Sequence, residues 1–302
     1  MAMSTPQAVA KKAVLDLSQP AGRKGKERAF AWLLFSMTGV AVLVLGLLIF
    51  DVLIDGVGRV NLSFLTSYSS RFPEQTGIRA GLTGTLSLMV LTALVAFPIG
   101  VGAAIYLEEF AADNRLTRLL EANIANLAGV PSIVYGLLGA AVFVYLLALG
   151  RSLLAGALTL AMLVLPVIIV AGREAIRAVP RAIRDGGLAL GATPLQVTSR
   201  QVLPAAMPGI LTGTILALSR AIGETAPILV VGALYSRRAD NEPWHFLEAF
   251  SALPVQIYNF VIRPQAGFKI EAASAGIVVL LAVLLLMNSV AIVLRNRFSR
   301  RF

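Results

Sequence analysis

Long apolar runs separated by short polar segments dominate the pattern of this chain of 302 residues. A helix needs about 20 mostly apolar residues to cross a bilayer, because the hydrocarbon core is about 30 Å thick. Six runs meet this requirement, so the pattern predicts an all-α, polytopic membrane protein with six transmembrane helices. The predicted spans are approximately residues 29–50, 81–107, 122–149, 153–170, 209–234 and 272–294.

The first run could also belong to a cleaved signal peptide. It is too long for the apolar part of such a peptide, and the Asp51, Val52 and Leu53 that follow are not a small-residue cleavage site. We therefore expect a retained span. Residues 1–28 mix Ser, Gln, Pro, Gly and Lys without periodicity, which predicts a disordered cytoplasmic tail.

Basic residues are distributed unevenly among the segments that connect the runs. If the spans alternate in direction, 17 of the 26 Lys and Arg residues lie on the side of both termini, eight lie on the opposite side, and Arg220 falls within a span. Cytoplasmic segments of membrane proteins carry the excess of Lys and Arg, so we expect both termini in the cytoplasm. The same distribution argues against a nucleic-acid partner, although the net charge is +10.

The composition narrows the possible chemistry. Hydrophobic residues make up 57% of the chain and charged residues 14%, with a mean hydropathy of +0.81. Cysteine is absent and His245 is the single histidine, which argues against disulfides, a zinc site and a cysteine nucleophile. The sequence contains no G-x-x-x-x-G-K-[ST] loop for nucleotide phosphates, so we expect no cofactor and expect ATP to be bound by a partner.

The polar segment at residues 173–208 is punctuated by prolines, which a helix tolerates only in its first turn. Its pattern predicts two short helices, near residues 181–190 and 195–203, joined through Gly191. The apolar residues of this segment could pack on the membrane domain, on a partner protein, or on both.

Residues 185–193, with the Leu203-Pro204 pair that follows, resemble the EAA loop of ABC importer permeases of type I. That resemblance implies a coupling loop that contacts a separate ATPase. The implied coupling residues are Asp185, Gly186, Gly187, Leu188, Gly191, Ala192, Leu203 and Pro204. Asp-Gly-Gly replaces the usual Glu-Ala-Ala, and each glycine lowers helix stability by about 1 kcal/mol relative to alanine. We therefore expect the coupling helix to begin late or to be stabilised by the ATPase.

Four further stretches resemble the PstA family, the permeases of bacterial phosphate-specific ABC importers. They are residues 104–109, 126–137, 220–227 and 253–259, and the likeness extends from about Gly77 to the C-terminus. It implies a non-enzymatic subunit of the bacterial cytoplasmic (inner) membrane that transports inorganic phosphate. The implied partners are a PstC-like second permease, two copies of a PstB-like ATPase and a PstS-like extracytoplasmic binding protein.

Arg220 and Glu224 lie within the fifth predicted span, where an ionised side chain is unfavourable by at least about 2.5 kcal/mol. A guanidinium can hydrogen-bond two phosphate oxygens at once, so Arg220 is a candidate for the substrate path, with Glu224 orienting it. Thr225 and Ser132 are further candidates, because each hydroxyl lies beside a helix-breaking proline. The alternative for the charged pair is an ion pair that fixes helix register, for example against a second permease.

Other functions stay open at this point. Sulfate, molybdate or phosphonate could replace phosphate as the cargo of the same architecture. An ion-coupled secondary carrier would need intramembrane carboxylates, of which the predicted spans offer Glu224. A membrane enzyme would need clustered His, Asp or Glu at a membrane face. The second connecting loop instead holds Glu108, Glu109, Asp113 and Glu121 beside Arg115 and Arg118, and these side chains are expected to form a solvated, locally paired face.

Overall fold

The computed structural model describes residues 21–233 and 245–298, with side chains for residues 27–233 and 245–297. These residues form helices and connecting segments, without a β-strand among them. The α-helices are α1 Ala21–Val57, α2 Leu62–Thr66, α3 Arg79–Ile105, α4 Arg115–Leu127, α5 Ser132–Gly139, α6 Leu153–Arg177, α7 Arg181–Ala189, α8 Pro194–Val197, α9 Leu203–Ile222, α10 Ala226–Val231, α11 Leu253–Val261 and α12 Ala273–Phe298. A 3₁₀ turn spans Pro73–Gln75, and π-helical turns span Tyr106–Phe110, Ala140–Leu146, Thr198–Val202 and Gly267–Ala272.

Helical segments long and apolar enough to cross a membrane confirm the predicted fold class. Five qualify among the described residues, and a bent pair makes a sixth if it counts as one span. The five are Glu27–Val57, Arg79–Phe110, Leu153–Arg177, Pro194–Ile222 and Gly267–Arg297. The described residues fall into two compact units, one ending at Asp51 and the other beginning at Val52. The described part of the first unit is residues 21–51 of α1.

Several helix bounds differ from the prediction. Residues 21–28, expected to be disordered, are helical because Arg, Lys and Glu are good helix formers next to a long apolar helix. The other residues of that predicted tail lie outside the described part of the chain, as does Leu234 at the end of the fifth predicted span. The third predicted span is not one rod, since α4 and the segment Ser132–Leu146 meet at 106°.

Prolines explain the largest of these differences. Pro131 precedes α5 with an extended backbone, and its ring cannot continue the helix from α4. The fifth span begins earlier than predicted, at Leu203, and ends at Ile222, so that Pro227 belongs to a separate helix, α10. The predicted loop at residues 173–208 is correspondingly shorter, because α6 extends to Arg177 and α9 takes in Pro208.

Helix α6 is the centre of the second unit. It packs most extensively against α3 and α9, and also against α4, α5 and α10. Leu160, Val164 and Ile168 on α6 are fully buried and belong to the main hydrophobic core. A second core cluster, around Phe64 and Phe268, joins α2, α3, α11 and α12 with the turn before α12.

Small residues line the contacts of α6 with its two main neighbours. A Cβ on Gly213 of α9 would lie 2.3 Å from the Cβ of Ala171, and one on Gly209 would lie 2.7 Å from the Cβ of Ala175. On the other side of α6, Gly172 faces Ala104 of α3 in the same way. In a bilayer, helices associate through such close packing, because lipid tails are as apolar as the side chains.

We expect Gly213→Ala to destabilise the bundle. Alanine normally favours a helix over glycine by about 1 kcal/mol, whereas overpacking a tight contact costs roughly 1–3 kcal/mol. The thermal unfolding temperature of the detergent-purified subunit should therefore fall. Gly102→Ala is the matched control, because a Cβ at Gly102 meets nothing within 4 Å, and it should unfold at or above the wild-type temperature. An unchanged unfolding temperature for Gly213→Ala would contradict the close contact.

Candidate functional site

The segment between α6 and α9 is built from two short helices and two turns. Pro180 precedes α7, and Gly191 after it has a φ of +81°, the left-handed conformation that favours glycine. Thr193 and Gln196 then form a reciprocal capping box at the start of α8. The π turn Thr198–Val202 continues α8 into α9 without a break, so the segment is joined directly to a membrane helix.

The first of the two short helices predicted in this segment, near residues 181–190, is confirmed as α7. Helix α7 runs from Arg181 through both glycines to Ala189, so the expectation that it begins late is wrong. Gly187 is buried, and a Cβ there would lie 2.8 Å from both Val197 Cγ2 and Gln201 Oε1. Tertiary packing of α7 on α8 and the following turn thus outweighs the weak helix propensity of glycine.

The apolar residues of this segment divide between two surroundings. Val197 and Val202 are buried in the main core. Leu188, Leu190 and Leu195 are 47%, 88% and 66% exposed. We call these three leucines the apolar tip. The segment therefore packs on the membrane domain and also presents an apolar surface, which is the arrangement expected of a docking site.

The predicted coupling residues divide in the same way. Asp185, Gly186 and Gly191 are exposed beside the apolar tip. Ala192 and Leu203 pack against the main core. Pro204 lies in the first turn of α9. All three are half-buried, and the packing of Ala192 and Leu203 helps to hold the segment in place.

A cluster of charged side chains joins α7 to the ends of α3 and α6. Arg184 of α7 pairs with Glu109, with Nη2 2.7 Å from Oε1, and donates hydrogen bonds to the carbonyl oxygens of Ile176 at 2.9 Å and Val179 at 2.6 Å. The side chains of Arg184 and Glu109 are 21% and 10% exposed. This pair was not found from the sequence.

Glu108 and Glu121 extend the same cluster. Arg177 binds both oxygens of Glu108, from Nε and Nη2, at 3.0 Å each. Arg173 reaches Glu108 at 3.3 Å and Glu121 at 2.7 Å. We call Glu108, Glu109, Glu121, Arg173, Arg177 and Arg184 the ion cluster. Arg173 and Arg177 are four residues apart at the polar end of an apolar helix, a spacing that places them on one face and could have indicated a shared site from the sequence.

The expected local pairing is confirmed for Asp113 and wrong for the three glutamates. Arg118 pairs with Asp113 at 2.6 Å on an exposed surface, while Glu108, Glu109 and Glu121 bind arginines 52 to 75 residues away in the sequence. Ion pairs that are partly buried keep a more defined geometry than ion pairs on the solvated surface. The glutamates therefore connect helices, and the surface they form is not merely solvated.

The charged pair predicted in the fifth span is formed where that span breaks. Arg220 Nε lies 3.3 Å from Glu224 Oε1. Helix α9 ends at Ile222, so Glu224 and Thr225 lie in the break before α10. Arg220 is 51% exposed and Glu224 16% exposed. Within this chain, then, the carboxylate is largely covered and the guanidinium is accessible.

Ser132 lies at a second break, as the first residue of α5. The Tyr135 hydroxyl donates a 2.8 Å hydrogen bond across this break to the carbonyl oxygen of Leu127. Helix α5 packs closely on α10, since a Cβ on Gly136 would lie 2.7 Å from Pro227 Cα. The four predicted path residues therefore come from two helix breaks whose helices are in contact. Broken helices expose polar backbone groups at membrane depth and are typical of transport sites.

Comparison with known proteins gives a consistent result. The model of the family described as "Binding-protein-dependent transport system inner membrane component" matches residues 96–302. The phosphate transport system permease protein PstA 1 of Mycobacterium tuberculosis is 34% identical over 92% of this chain and 90% of its own length. The probable ABC transporter permease protein YqgI of Bacillus subtilis is 31% identical, over 83% and 88%. The probable PstA of Methanocaldococcus jannaschii is 31% identical, over 90% and 94%.

Solved structures share the fold at low sequence identity. The MetNI methionine ABC transporter in an inward-facing conformation matches with a TM-score of 0.60 at 18% identity, over 73% of this chain and 95% of that chain. A bacterial alginate ABC transporter in complex with an alginate pentasaccharide-bound periplasmic protein matches with a TM-score of 0.62 at 16% identity, over 88% and 94%.

We call residues 178–202, between α6 and α9, the coupling segment after its predicted role, and we expect Gly187→Val to loosen it. The added side chain would push α7 away from Val197, which is buried and cannot move aside, and would weaken the 3.2 Å hydrogen bond from the Ala192 amide to the Gly187 carbonyl. Hydrogen exchange of peptides covering residues 187–197 should become faster. Gly186→Val is the control, because a Cβ at Gly186 meets nothing within 4 Å. Equal exchange in the two variants would show that the packing of Gly187 does not hold the segment.

Proposed function

The chain belongs to the family of binding-protein-dependent transport system inner membrane components, and we propose that it is the permease subunit of an ATP-driven importer of inorganic phosphate. As such a subunit it forms half of the translocation path and couples to an ATPase through α7 and α8. ATP hydrolysis takes place in the partner, and this chain performs no covalent chemistry. The sequence contains no P-loop that would bind the nucleotide.

The observation that carries the proposal is the accessible Arg220 at the break between α9 and α10. A guanidinium offers a planar fork of N–H donors that matches two oxygens of an oxyanion and offsets their charge. Glu224 holds the Nε edge at 3.3 Å, which leaves other donors of Arg220 for a ligand. Phosphate is the preferred cargo because relatives that match nine-tenths of the chain are named phosphate permeases.

The exposure of Arg220 fits a path shared between two subunits. A charge at membrane depth must face a wet cavity or a partner, since exposure to lipid is unfavourable. We therefore place a PstC-like second permease opposite α9 and α10, with phosphate passing between the two subunits. A PstS-like binding protein delivers phosphate on the extracytoplasmic side. Both termini are cytoplasmic, in the cytoplasmic (inner) membrane of a bacterium, which agrees with the excess of basic residues on that side.

The apolar tip is the proposed contact with the ATPase dimer, whose subunits are PstB-like. Leu188, Leu190 and Leu195 are exposed on either side of the turn at Gly191, and burying them against a partner would remove apolar surface from water. The tip is joined through the segment to α9, so movement of the ATPase is transmitted to the helix that carries Arg220.

Reconstitution tests the proposal as a whole. Proteoliposomes that contain this chain, its neighbouring permease and ATPase, and the binding protein should accumulate labelled phosphate when ATP is supplied inside. Excess unlabelled phosphate should compete, and excess sulfate, molybdate or phosphonate should not. Competition by sulfate would change the assigned cargo. Uptake that persists without the ATPase would instead indicate a secondary carrier.

We expect Arg220→Gln to abolish phosphate uptake while the complex still assembles and hydrolyses ATP. Loss of charge-assisted hydrogen bonds lowers binding roughly tenfold or more for each bond. Uptake by proteoliposomes and ATPase activity should be measured on the same preparation. Arg118→Gln, which removes an exposed arginine paired with Asp113, is the control and should transport normally. Normal uptake by Arg220→Gln would remove this residue from the path.

We expect Leu190→Ser to weaken ATPase binding without destabilising the subunit, since Leu190 is 88% exposed and its side chain therefore contributes little to the packing of the described residues. The ATPase recovered with the affinity-purified permease should fall several-fold, because burial of one leucine contributes about 1.5–3 kcal/mol. Leu62→Ser in α2 is the matched control, with a leucine that is 76% exposed, and should retain the ATPase. Equal recovery with both variants would place the ATPase contact elsewhere.

A further inference from the structure

We propose that the ion cluster makes the coupling segment move as one body with the cytoplasmic ends of α3 and α6, so that its loss uncouples ATP hydrolysis from transport while the ATPase stays bound. Glu109 and Arg184 are the positioning residues at its centre. The inference rests on the proposed function, since it concerns how ATPase motion reaches the substrate path.

Arg184 connects three elements with one side chain. It belongs to α7, it pairs with Glu109 on the π turn that ends α3, and it donates to the carbonyl oxygens of Ile176 and Val179 at the end of α6. Carbonyl groups in the last turn of a helix have no partner within the helix, and a cation there also interacts favourably with the helix dipole. Arg184 therefore fixes α7 against both helices at once.

A second set of ion pairs, between α6 and the glutamates 108 and 121, lies next to the contact of Arg184 with Glu109. Arg177 binds both oxygens of Glu108 at 3.0 Å each, and Arg173 bridges Glu108 and Glu121. Glu108 and Glu109 are adjacent on the π turn Tyr106–Phe110, with Leu107 buried between the helices. From this single π turn, Glu108 binds arginines of α6 and Glu109 binds Arg184 of α7. The two sets of contacts therefore cannot shift independently.

The cluster lies next to the place where force would enter. Arg184 and Leu188 are four residues apart on α7 and so lie on the same side, one turn from each other. A partner that pushes on the apolar tip therefore pushes on the helix that Arg184 holds. Neither Glu109 nor Arg184 belongs to the apolar tip, since their side chains are 10% and 21% exposed, and their contacts link α7 to the bundle.

The ion cluster is better explained by the need to fix the orientation of α7 than by a contribution to stability. Replacing a partly buried pair by apolar groups is often neutral for stability, because desolvation offsets the attraction between the charges. What a hydrogen-bonded pair provides is a defined direction and distance. The apolar contacts of Ile183 and Ala192 with the core would hold the segment without fixing its orientation as narrowly.

Two variants test the proposal. Glu109→Gln keeps the shape and removes the charge, and the double variant Glu109→Gln/Arg184→Met leaves no unpaired charge if the single variant folds poorly. The control is Asp113→Asn, the same change at an exposed carboxylate four residues further on. In proteoliposomes of the complete complex, both cluster variants should keep the ATPase and hydrolyse ATP, while phosphate transported per ATP falls roughly tenfold, the effect of one charge-assisted hydrogen bond.

A second readout does not depend on the cargo. The chain has no cysteine, so Gly223→Cys places a single thiol at the break after α9. ATP binding should change its rate of labelling in the otherwise wild-type complex and in the Asp113→Asn control, and should not change it in the cluster variants.

The outcomes separate the two proposals. If the wild-type complex accumulates no phosphate, the proposed function fails, and the thiol readout still decides the role of the cluster. Wild-type coupling in the double variant, or loss of the ATPase in parallel with loss of transport, would overturn the inference, because the cluster would then be dispensable or purely structural.

Discussion

The close approach of α6 to α3 and α9 is the contact on which the rest of the structure depends. Gly213 and Gly209 face Ala171 and Ala175 so closely that not even a methyl group fits between the helices. In lipid, where burial of apolar surface offers little, such packing is what holds helices together. The same closeness brings the polar ends of α3 and α6 within reach of each other, and the ion cluster can form only because of it.

The membrane-spanning pattern could be predicted from the sequence, because a bilayer requires long apolar runs and the chain has them. The breaks could be predicted only in part. Pro131 and Pro227 indicated that the helices are interrupted. A count of apolar residues does not report the direction of the helix axis, so the two segments that meet at 106° before α5 were predicted as one straight span. The late start expected for α7 was wrong because helix propensity is a local property and does not include the packing of Gly187 on Val197.

The candidate site was predictable to a similar degree. Arg220 and Glu224 are four residues apart, so their pairing could be predicted from the spacing alone. The structure contains this pair. The pairs of the ion cluster, such as Glu109 with Arg184, join residues 75 apart in the sequence, and only the fold brings them together. The sequence instead suggested nearby arginines as partners, since proximity along the chain was the available guide.

Rigid and broken parts of the molecule have complementary roles in this account. The rigid part is the apolar tip with the ion cluster and the core around α6; the broken part is the pair of helix interruptions that hold Arg220, Glu224 and Ser132. Because the chain has no cysteine, spin labels introduced at Ala112 and at Ala182 of α7, both exposed and both outside the apolar tip, can report whether α7 and the end of α3 move together. In the assembled complex, the distance between the two labels should be the same without nucleotide and with ATP trapped in the ATPase. A clear change in that distance on ATP binding would contradict a rigid connection between the coupling segment and the membrane bundle.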